Sequence, residues 1–323
     1  VATPGVLPIV SYYIGLLILV AWPVSHDYYG YAWRVGTILM IVFLTSVLWP
    51  PSWRERGTME IVFIDVGQGD AALIKSPRGR FILVDGGGSQ FYQVGDMKVI
   101  PYLRHRGINN LDLVINTHPD SDHLLGLNEV IGQMQVKRFA FPRSLQHSPD
   151  YQSTFVQTRL KSILLLPLQA GQVVRIEPGF YLEILYPHYE KDTVPDNNHH
   201  SLVIRCRYGS SSVLLMGDLD QEGMRELVAH KSLLHCDLIK VPHHGSRTSL
   251  LEGFYADCSP RAAVISVGNN QFGHPHPEVL EELAALGVRV YRTDLNGAVR
   301  CTSNGSVFKI QTYLDPANNY ESQ

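Results

Sequence analysis

The chain has 323 residues, 45% hydrophobic and 18% charged, which is material for about two domains of globular composition with some membrane-inserted mass. A net charge of −3 supplies no global attraction for a polyanion and counts against tight nonspecific DNA binding by this chain alone. Its four cysteines, Cys206, Cys236, Cys258 and Cys301, form no C-x-x-C pair, which excludes a disulfide framework and marks them as small buried residues in strands or strand ends.

In chain order, the first signal is hydropathy. No charged residue occurs from Val1 to Ser25 or from Val35 to Trp53, and each stretch suffices to cross a bilayer core, which takes roughly 20 residues. Tyr12, Tyr13 and Trp22, then Trp33, Trp49 and Trp53, sit toward the ends of these stretches as interfacial residues do. The expectation for residues 1–57 is therefore the end of a membrane domain, with two transmembrane helices at about 6–24 and 35–53. Starting on Val, the chain reads as a piece of a larger membrane protein. Arg54, Glu55 and Arg56 against Asp27 and Arg34 leave its orientation unset.

Residues 58–315 read as one domain and 316–323 as a tail. Short β-branched runs predict strands at Glu60–Asp65, Ala71–Lys75 and Phe81–Asp85, then a helix over Val94–Arg106, a strand over Leu111–Asn116 and a helix over Asp122–Ile131. Further strands are expected at Tyr181–Tyr186, Ser201–Arg207, Ser211–Met216, Cys236–Lys240, Ala262–Val267, Val288–Tyr291 and Val307–Thr312, with helices near Asp220–Ala229 and Pro277–Leu286. Hairpins mixed with strand–helix units imply an α/β (α+β) domain of two packed sheets with helices outside.

The densest chemistry is His118-Pro119-Asp120-Ser121-Asp122-His123, four metal-ligand side chains in six residues after a strand. His118 and Asp120 leave the extended segment on one side, while Asp122 and His123 begin the next element, an arrangement that feeds two neighbouring ions. A mixed imidazole and carboxylate set suits zinc or manganese. The alternative is a helix cap at Asp120 or Ser121, which explains one residue and not the other three. Later strands end on Gly217-Asp218 and on Pro242-His243-His244-Gly245-Ser246, and the cluster Asp196-Asn197-Asn198-His199-His200-Ser201 precedes another. Asp65-Val66-Gly67-Gln68-Gly69-Asp70 is read as a tight turn whose Asp65 or Asp70 holds a ligating His, or else as a plain Asp/Gly hairpin; Asp85 repeats the strand-end carboxylate.

Together with Asp85-Gly86-Gly87 and Gly273-His274-Pro275-His276-Pro277, these motifs resemble the metallo-β-lactamase superfamily, and within it the C-terminal domain of the ComEC competence family, over about Met59 to Ile310. The resemblance implies an αββα metallo-β-lactamase-like sandwich with a dinuclear site at the sheet edges. It implies that His118 and Asp120 bind one metal, that Asp122, His123 and His243 bind a second, and that Asp218 bridges. The third ligand of the first ion is expected from Asn197–His200, with His199 chosen and His200 the alternative. Asp120 stands where most of the superfamily has His, which makes the first site harder and more tolerant of manganese.

The cofactors implied are two divalent ions, Zn or Mn, that activate water, with Asp122 orienting it. His244, His274 and His276, with Lys240 and Arg247, neutralise charge or protonate a leaving oxygen, although Arg247 and Lys240 read equally as surface ion-pair residues. The function implied is a membrane-tethered, metal-dependent nuclease degrading the non-imported DNA strand during natural transformation. Its partners are DNA, the membrane, the upstream channel domain of the same protein and other DNA-uptake components. The location is the bacterial inner or cell membrane, with the hydrolase domain extracytoplasmic. The competing expectations are a catalytically weak DNA-guiding or gating module and a hydrolase of small molecules on the same fold.

Overall fold

The computed structural model describes residues 57–188, 196–229 and 234–314, with 10, 12–14, 35–40, 43, 320 and 321. The chain divides into two units, one of residues 1–56 with 104–107, the other of residues 57–103 with 108–323. The first is helical at 10, 12–14, 35–40 and 43. The two expected membrane spans, 6–24 and 35–53, lie for the most part outside the described residues. Among the described residues no helix is long and apolar enough to cross a membrane.

The second unit opens with β1 (Met59–Phe63), β2 (Ala72–Lys75) and β3 (Phe81–Val84), followed by α1 (Ile100–His105), β4 (Leu113–Ile115) and α2 (Ser121–Gln133). Then come β5 (Arg138–Pro142), α3 (Gln152–Leu160), β6 (Leu164–Leu168), β7 (Val173–Glu177), β8 (Phe180–Tyr186), β9 (Val203–Tyr208) and β10 (Ser211–Leu215). The remainder is α4 (Gln221–Val228), β11 (Leu238–Lys240), α5 (Phe254–Cys258), β12 (Ala262–Ile265), α6 (Pro277–Ala285), β13 (Arg289–Arg292), α7 (Thr293–Asn296), β14 (Val299–Ser303), β15 (Phe308–Thr312) and β16 (Tyr320–Glu321). Residues 320 and 321, expected in a tail, pair with Ile310 and Lys309 of β15. The helix expected over Val94–Arg106 is present from 94 to 105, its first part a π-helical segment at Gly95–Val99 that runs straight into α1.

The strands form a nine-stranded sheet, β16-β15-β14-β1-β2-β3-β4-β5-β6, and a seven-stranded sheet, β13-β12-β11-β10-β9-β8-β7. Alternation sets what each face touches. Ile61 and Phe63 of β1, Ile82 and Val84 of β3 and Leu113 and Ile115 of β4 meet Ile184, Ile204, Val213 and Leu215 of the other sheet in one buried core. The intervening Val62, Leu83 and Val114 face outward against Leu124, Leu127, Val130 and Ile131 of α2. On the second sheet Leu214, Ile239 and Ala263 lie under Met224 and Leu227 of α4 and Val279 and Leu283 of α6. The central strands are therefore buried on both faces and read as continuous apolar runs. The layers are helix, sheet, sheet, helix, as the resemblance implied.

β3, β4 and β5 are mutually parallel, as are β10, β11, β12 and β13. β1 is antiparallel to β2 and β2 to β3, so β1 runs with β3. The residues that follow β1, β3, β4, β10, β11 and β12 consequently emerge at strand C-termini, where ligand sites assemble in such sheets. The turn after β3 grips the start of α2, because Gly86 N donates to His123 O at 2.9 Å and Gly126 N donates to Gly87 O at 2.9 Å. A Cβ on Gly126 would stand 2.0 Å from Gly86 O, so only glycine permits this approach. We predict that Gly126→Ala destabilises the chain by about 1–3 kcal/mol, the cost of overpacking a tight contact. A urea melt compared with that of Gly132→Ala, on the same helix with nothing within 4 Å of its Cβ position, reads the difference.

Candidate metal centre

The loop after β4 delivers His118, fully buried, and α2 begins at Ser121 with Asp122 and His123 in its first turn. Asp120 occupies the N-cap position with extended backbone, but its side chain makes no capping hydrogen bond; Oδ1 instead accepts from Asn197 Nδ2 at 2.8 Å. The cap alternative thus fails for this carboxylate. The turn after β10 brings Asp218, and the one after β11 brings His243 and His244, both in the left-handed region with φ of 48° and 52°. Non-glycine residues held there carry strain of order 1–3 kcal/mol, which persists only where the surroundings impose it. The turn sends the two neighbours apart: His244 is buried, while the His243 side chain is a quarter exposed and its Nδ1 meets Thr248 Oγ1 at 3.1 Å.

Hydrogen bonding fixes the ring tautomers. Asp85 Oδ1 accepts from Asn116 Nδ2 at 3.0 Å and Thr117 N at 2.8 Å, and Oδ2 accepts from Thr117 Oγ1 at 2.7 Å and His123 Nδ1 at 3.0 Å. Because the Thr117 hydroxyl proton goes to Asp85, His118 Nδ1, 3.1 Å from that hydroxyl, must be the donor to it. His244 Nδ1 donates to Ser266 O at 2.8 Å. All three rings therefore commit the Nδ1 proton outward and turn Nε2 inward. His123 Nε2 lies 3.3 Å from Asp218 Oδ1, and His244 Nε2 lies 3.2 Å from Asp218 Oδ2 and 3.1 Å from Asp122 Oδ2.

An imidazole nitrogen and a carboxylate oxygen this close attract only with a cation between them, a proton in the metal-free protein or a metal ion in its place. His118 Nε2, His123 Nε2, Asp218 Oδ1 and Asp70 Oδ1 are moreover buried without a hydrogen-bond partner. Orphaned buried polar atoms of this kind are costly. Ligand atoms of His118, His123 and Asp218, and of Asp122, His123 and His244, lie within 4.8 Å of one another, as do those of Asp70, Asp218 and His244. These buried His/Asp clusters fit divalent cations, and no cysteine competes, since all four are free and buried in the sheets and helices.

The electrostatics agree. Burial opposes protonation of His123 and His244, but Asp218 together with Asp85 and Asp122 around His123, and together with Asp122 and Asp70 around His244, outweighs it and holds both well above the ordinary histidine range. The field that retains a proton there attracts a divalent ion in its place. Burial, then His123, pushes His118 down to about 3, so its ring is neutral. Burial works against ionisation of Asp122 and Asp218, yet His123 and His244 hold both carboxyls below their usual range. Burial raises Asp120.

Other expected residues lie farther out. Asp120 Oδ2 is 3.7 Å from His118 Nε2, and His243 Nε2 is 3.9 Å from Asp218 Oδ2. The His274 ring sits 5.6 Å from that of His243 and 6.5 Å from that of His244, and burial lowers its pKa. His276 faces Glu278, with Nδ1 3.9 Å from Oε2. His199 has Nε2 on the Tyr186 hydroxyl at 3.0 Å and Nδ1 on Asp220 Oδ1 at 3.1 Å, in a separate group with Asp220 and Glu222. His200 is buried with its ring edge-on to His199. Arg247 is a surface ion-pair residue, 3.5 Å from Glu278.

Sequence reasoning missed Thr117, Asn116 and Ser266 as orienting groups, and put Asp65 or Asp70 where Asp85 holds His123. Asp65 instead accepts from Gly67 N at 3.1 Å and pairs with Lys98. Strand-end position marked Asp85; nothing local marked the others.

A family model described as the metallo-β-lactamase superfamily matches residues 64–267. ComE operon protein 3 of Bacillus subtilis is 32% identical over 293 residues, covering 86% of this chain and 37% of that protein. Competence protein ComA of Neisseria gonorrhoeae is 29% identical over 277 residues, covering 84% of this chain and 36% of that protein. The chain thus spans little more than a third of the length of these relatives. A mutant of the CmlA β-hydroxylase superposes with a TM-score of 0.50 at 12% identity, over 76% of this chain and 53% of that one, a likeness of fold alone.

Since Asp85 fixes the His123 ring directly and the His118 ring through Thr117, Asp85→Asn is expected to weaken zinc or manganese binding by roughly 10–100-fold, the usual effect of losing an orienting partner. Isothermal titration of the variant against wild type measures it, with circular dichroism verifying the fold.

Proposed function

Because this chain belongs to the metallo-β-lactamase superfamily and is homologous to competence proteins, we propose that it is the metal-dependent hydrolase domain of a DNA-uptake protein and that it cleaves phosphodiester bonds. The observation that carries the hydrolase reading is the convergence of inward-facing Nε2 atoms of His118, His123 and His244 on the carboxylates of Asp218 and Asp122. The phosphodiester substrate is supported by the competence relatives.

In this reading His118 and Asp120 serve one ion, Asp122, His123 and His244 a second, and Asp218 lies between them. His244 takes the place that sequence resemblance gives to His243, because its Nε2 faces two carboxylates at 3.1 and 3.2 Å while that of His243 stays 3.9 Å from the nearest. His199, engaged at both ring nitrogens, serves the loop. Bound divalent ions supply Lewis acidity and bring the pKa of a coordinated water toward 7. Asp122, ionised and partly exposed, accepts a hydrogen bond from the attacking water and orients it. His243 and His274, whose rings lie 5.6 Å apart beside the cluster, are assigned to the leaving oxygen in this reading, His274 as a hydrogen-bonding ring whose protonation burial disfavours.

Substrate reaches these residues through a groove of about 430 Å³ beside Asp120 and Asp122, lined also by Gln90, Asn128, Asp150 and Asn197 and, among the described residues, by no Lys or Arg. That lining favours, as a second reading, an uncharged small-molecule substrate. The membrane completes the proposal, supported by the charge-free stretches at 1–25 and 35–53; an upstream channel domain, other uptake components and an extracytoplasmic site of action are added on the strength of the competence relatives and the proposed DNA degradation.

The test is cleavage of end-labelled single- and double-stranded DNA by the whole chain with manganese, zinc or EDTA. Metal-dependent cutting should fall by at least roughly 100-fold in Asp122→Ala. His244→Ala should lose metal as well as activity, whereas His243→Ala should keep its metal. Intact DNA alongside metal-dependent turnover of a thioester or β-lactam would move the substrate to small molecules; no hydrolysis of either by folded, metal-loaded protein would leave a guiding module.

A further inference from the structure

Lys240 ends β11, a strand buried on both faces, and its amine enters the carboxylate cluster. Nζ is ion-paired with Asp70 Oδ2, lies 3.6 Å from Asp218 Oδ1 and donates to Gly217 O at 3.0 Å, with the side chain 4% exposed. Asp70 and Gly217 O take two of the three ammonium protons, and Asp218 at 3.6 Å adds a neighbouring negative charge without a hydrogen bond. A buried ammonium is tolerated only when it is paired in this way.

Asp70 is otherwise as well placed for a metal as its neighbours: it lies within ligand distance of Asp218 and His244, and of Asp85 and His123. Its main chain is tied to the site from both sides, since Asp70 N donates to Asp122 O at 3.2 Å and Asp70 O accepts from Gly87 N at 2.6 Å. What separates it from the other carboxylates is the cation already on Oδ2.

We propose that Lys240 is a built-in cation of this centre: it occupies Asp70 in place of a metal and stands beside Asp218, so that Asp70 is a positioning residue and not a ligand. The inference rests on the reading of the cluster as a metal centre. Metal then enters only on the side of His118, Asp122, His123 and His244. The same ammonium gives the metal-free protein a counter-charge for two carboxylates that otherwise repel each other, so the centre stays formed before any ion arrives.

The proposal separates three chains. In Lys240→Met, Asp70 is left buried and unpaired. The apo melting midpoint should fall by roughly 10 °C, and the variant should take up one more manganese or zinc ion than wild type, with a larger rise in midpoint on metal addition. In Asp70→Asn/Lys240→Met both partners are gone, so most of the apo midpoint should return and metal stoichiometry should match wild type. Metal content by mass spectrometry and the melting curves read both without any assay of hydrolysis. The proposal is overturned if the double variant binds fewer ions than wild type, which makes Asp70 a ligand, or if Lys240→Met melts like wild type in EDTA. A wild-type chain that takes up neither metal defeats the functional reading instead, while the apo melts still judge the ion pair.

Discussion

The site depends on one carboxylate that need not touch a metal. Asp85 accepts four hydrogen bonds from Asn116, Thr117 and His123, and through them it decides which nitrogen of two separate imidazoles carries a proton. Asn116 is fixed in turn by the Tyr151 hydroxyl, which donates to Asn116 Oδ1 at 2.6 Å. Burial makes each of these bonds strong and makes their loss expensive. The result is a set of Nε2 atoms aimed inward before any ligand is present, so ion binding needs little reorganisation.

This preorganisation requires the sandwich. The two sheets contribute separate halves of the centre: Asp70, Asp85, His118 and His123 follow strands of one, Asp218, Lys240 and His244 follow strands of the other. The core of Ile61, Val84, Ile115, Leu215 and Leu238 holds the strand ends in register beneath them. Strain is then affordable locally. The left-handed His243-His244-Gly245 turn is anchored by His276 N donating to Gly245 O and His243 N donating to Gly217 O, which ties it to the neighbouring loops of the same sheet.

Much of this was legible because period-2 alternation and strand-end polar residues are local signals. The strands at 60–65, 71–75, 81–85 and 111–116 fall close to those observed, and His118, Asp122, His123 and Asp218 converge as spacing suggested. Two of the unforeseen strands have physical reasons. β6 is Leu-Leu-Leu-Pro-Leu at an edge of the nine-stranded sheet, where Pro167 is tolerated and alternation is lost to exposure, and β7 is an edge of the seven-stranded sheet with Val173 half exposed. α3 buries only Thr154 and Thr158 of its nine residues, so it has little apolar stripe to read. Pairings such as Asp70 with Lys240 or Asn197 with Asp120 join residues 77 to 170 positions apart, and no local pattern encodes them.

The choice between His243 and His244 shows the limit most sharply. Adjacent identical residues carry no compositional difference, and only the handedness of the turn sends one ring under Ser266 and the other toward Thr248. The same limit applies to charge. A net charge of −3 reads as indifference to nucleic acid, and the groove beside Asp120 and Asp122 likewise offers no cationic side chain. With Lys240 committed to Asp70 and Asp218, the protein keeps no free cation among the described residues of the groove or the ligand cluster to meet a phosphate. Attraction for an anionic substrate at this centre must then come from the ions it holds, so binding of such a substrate and its hydrolysis share one requirement and are lost together when metal is removed.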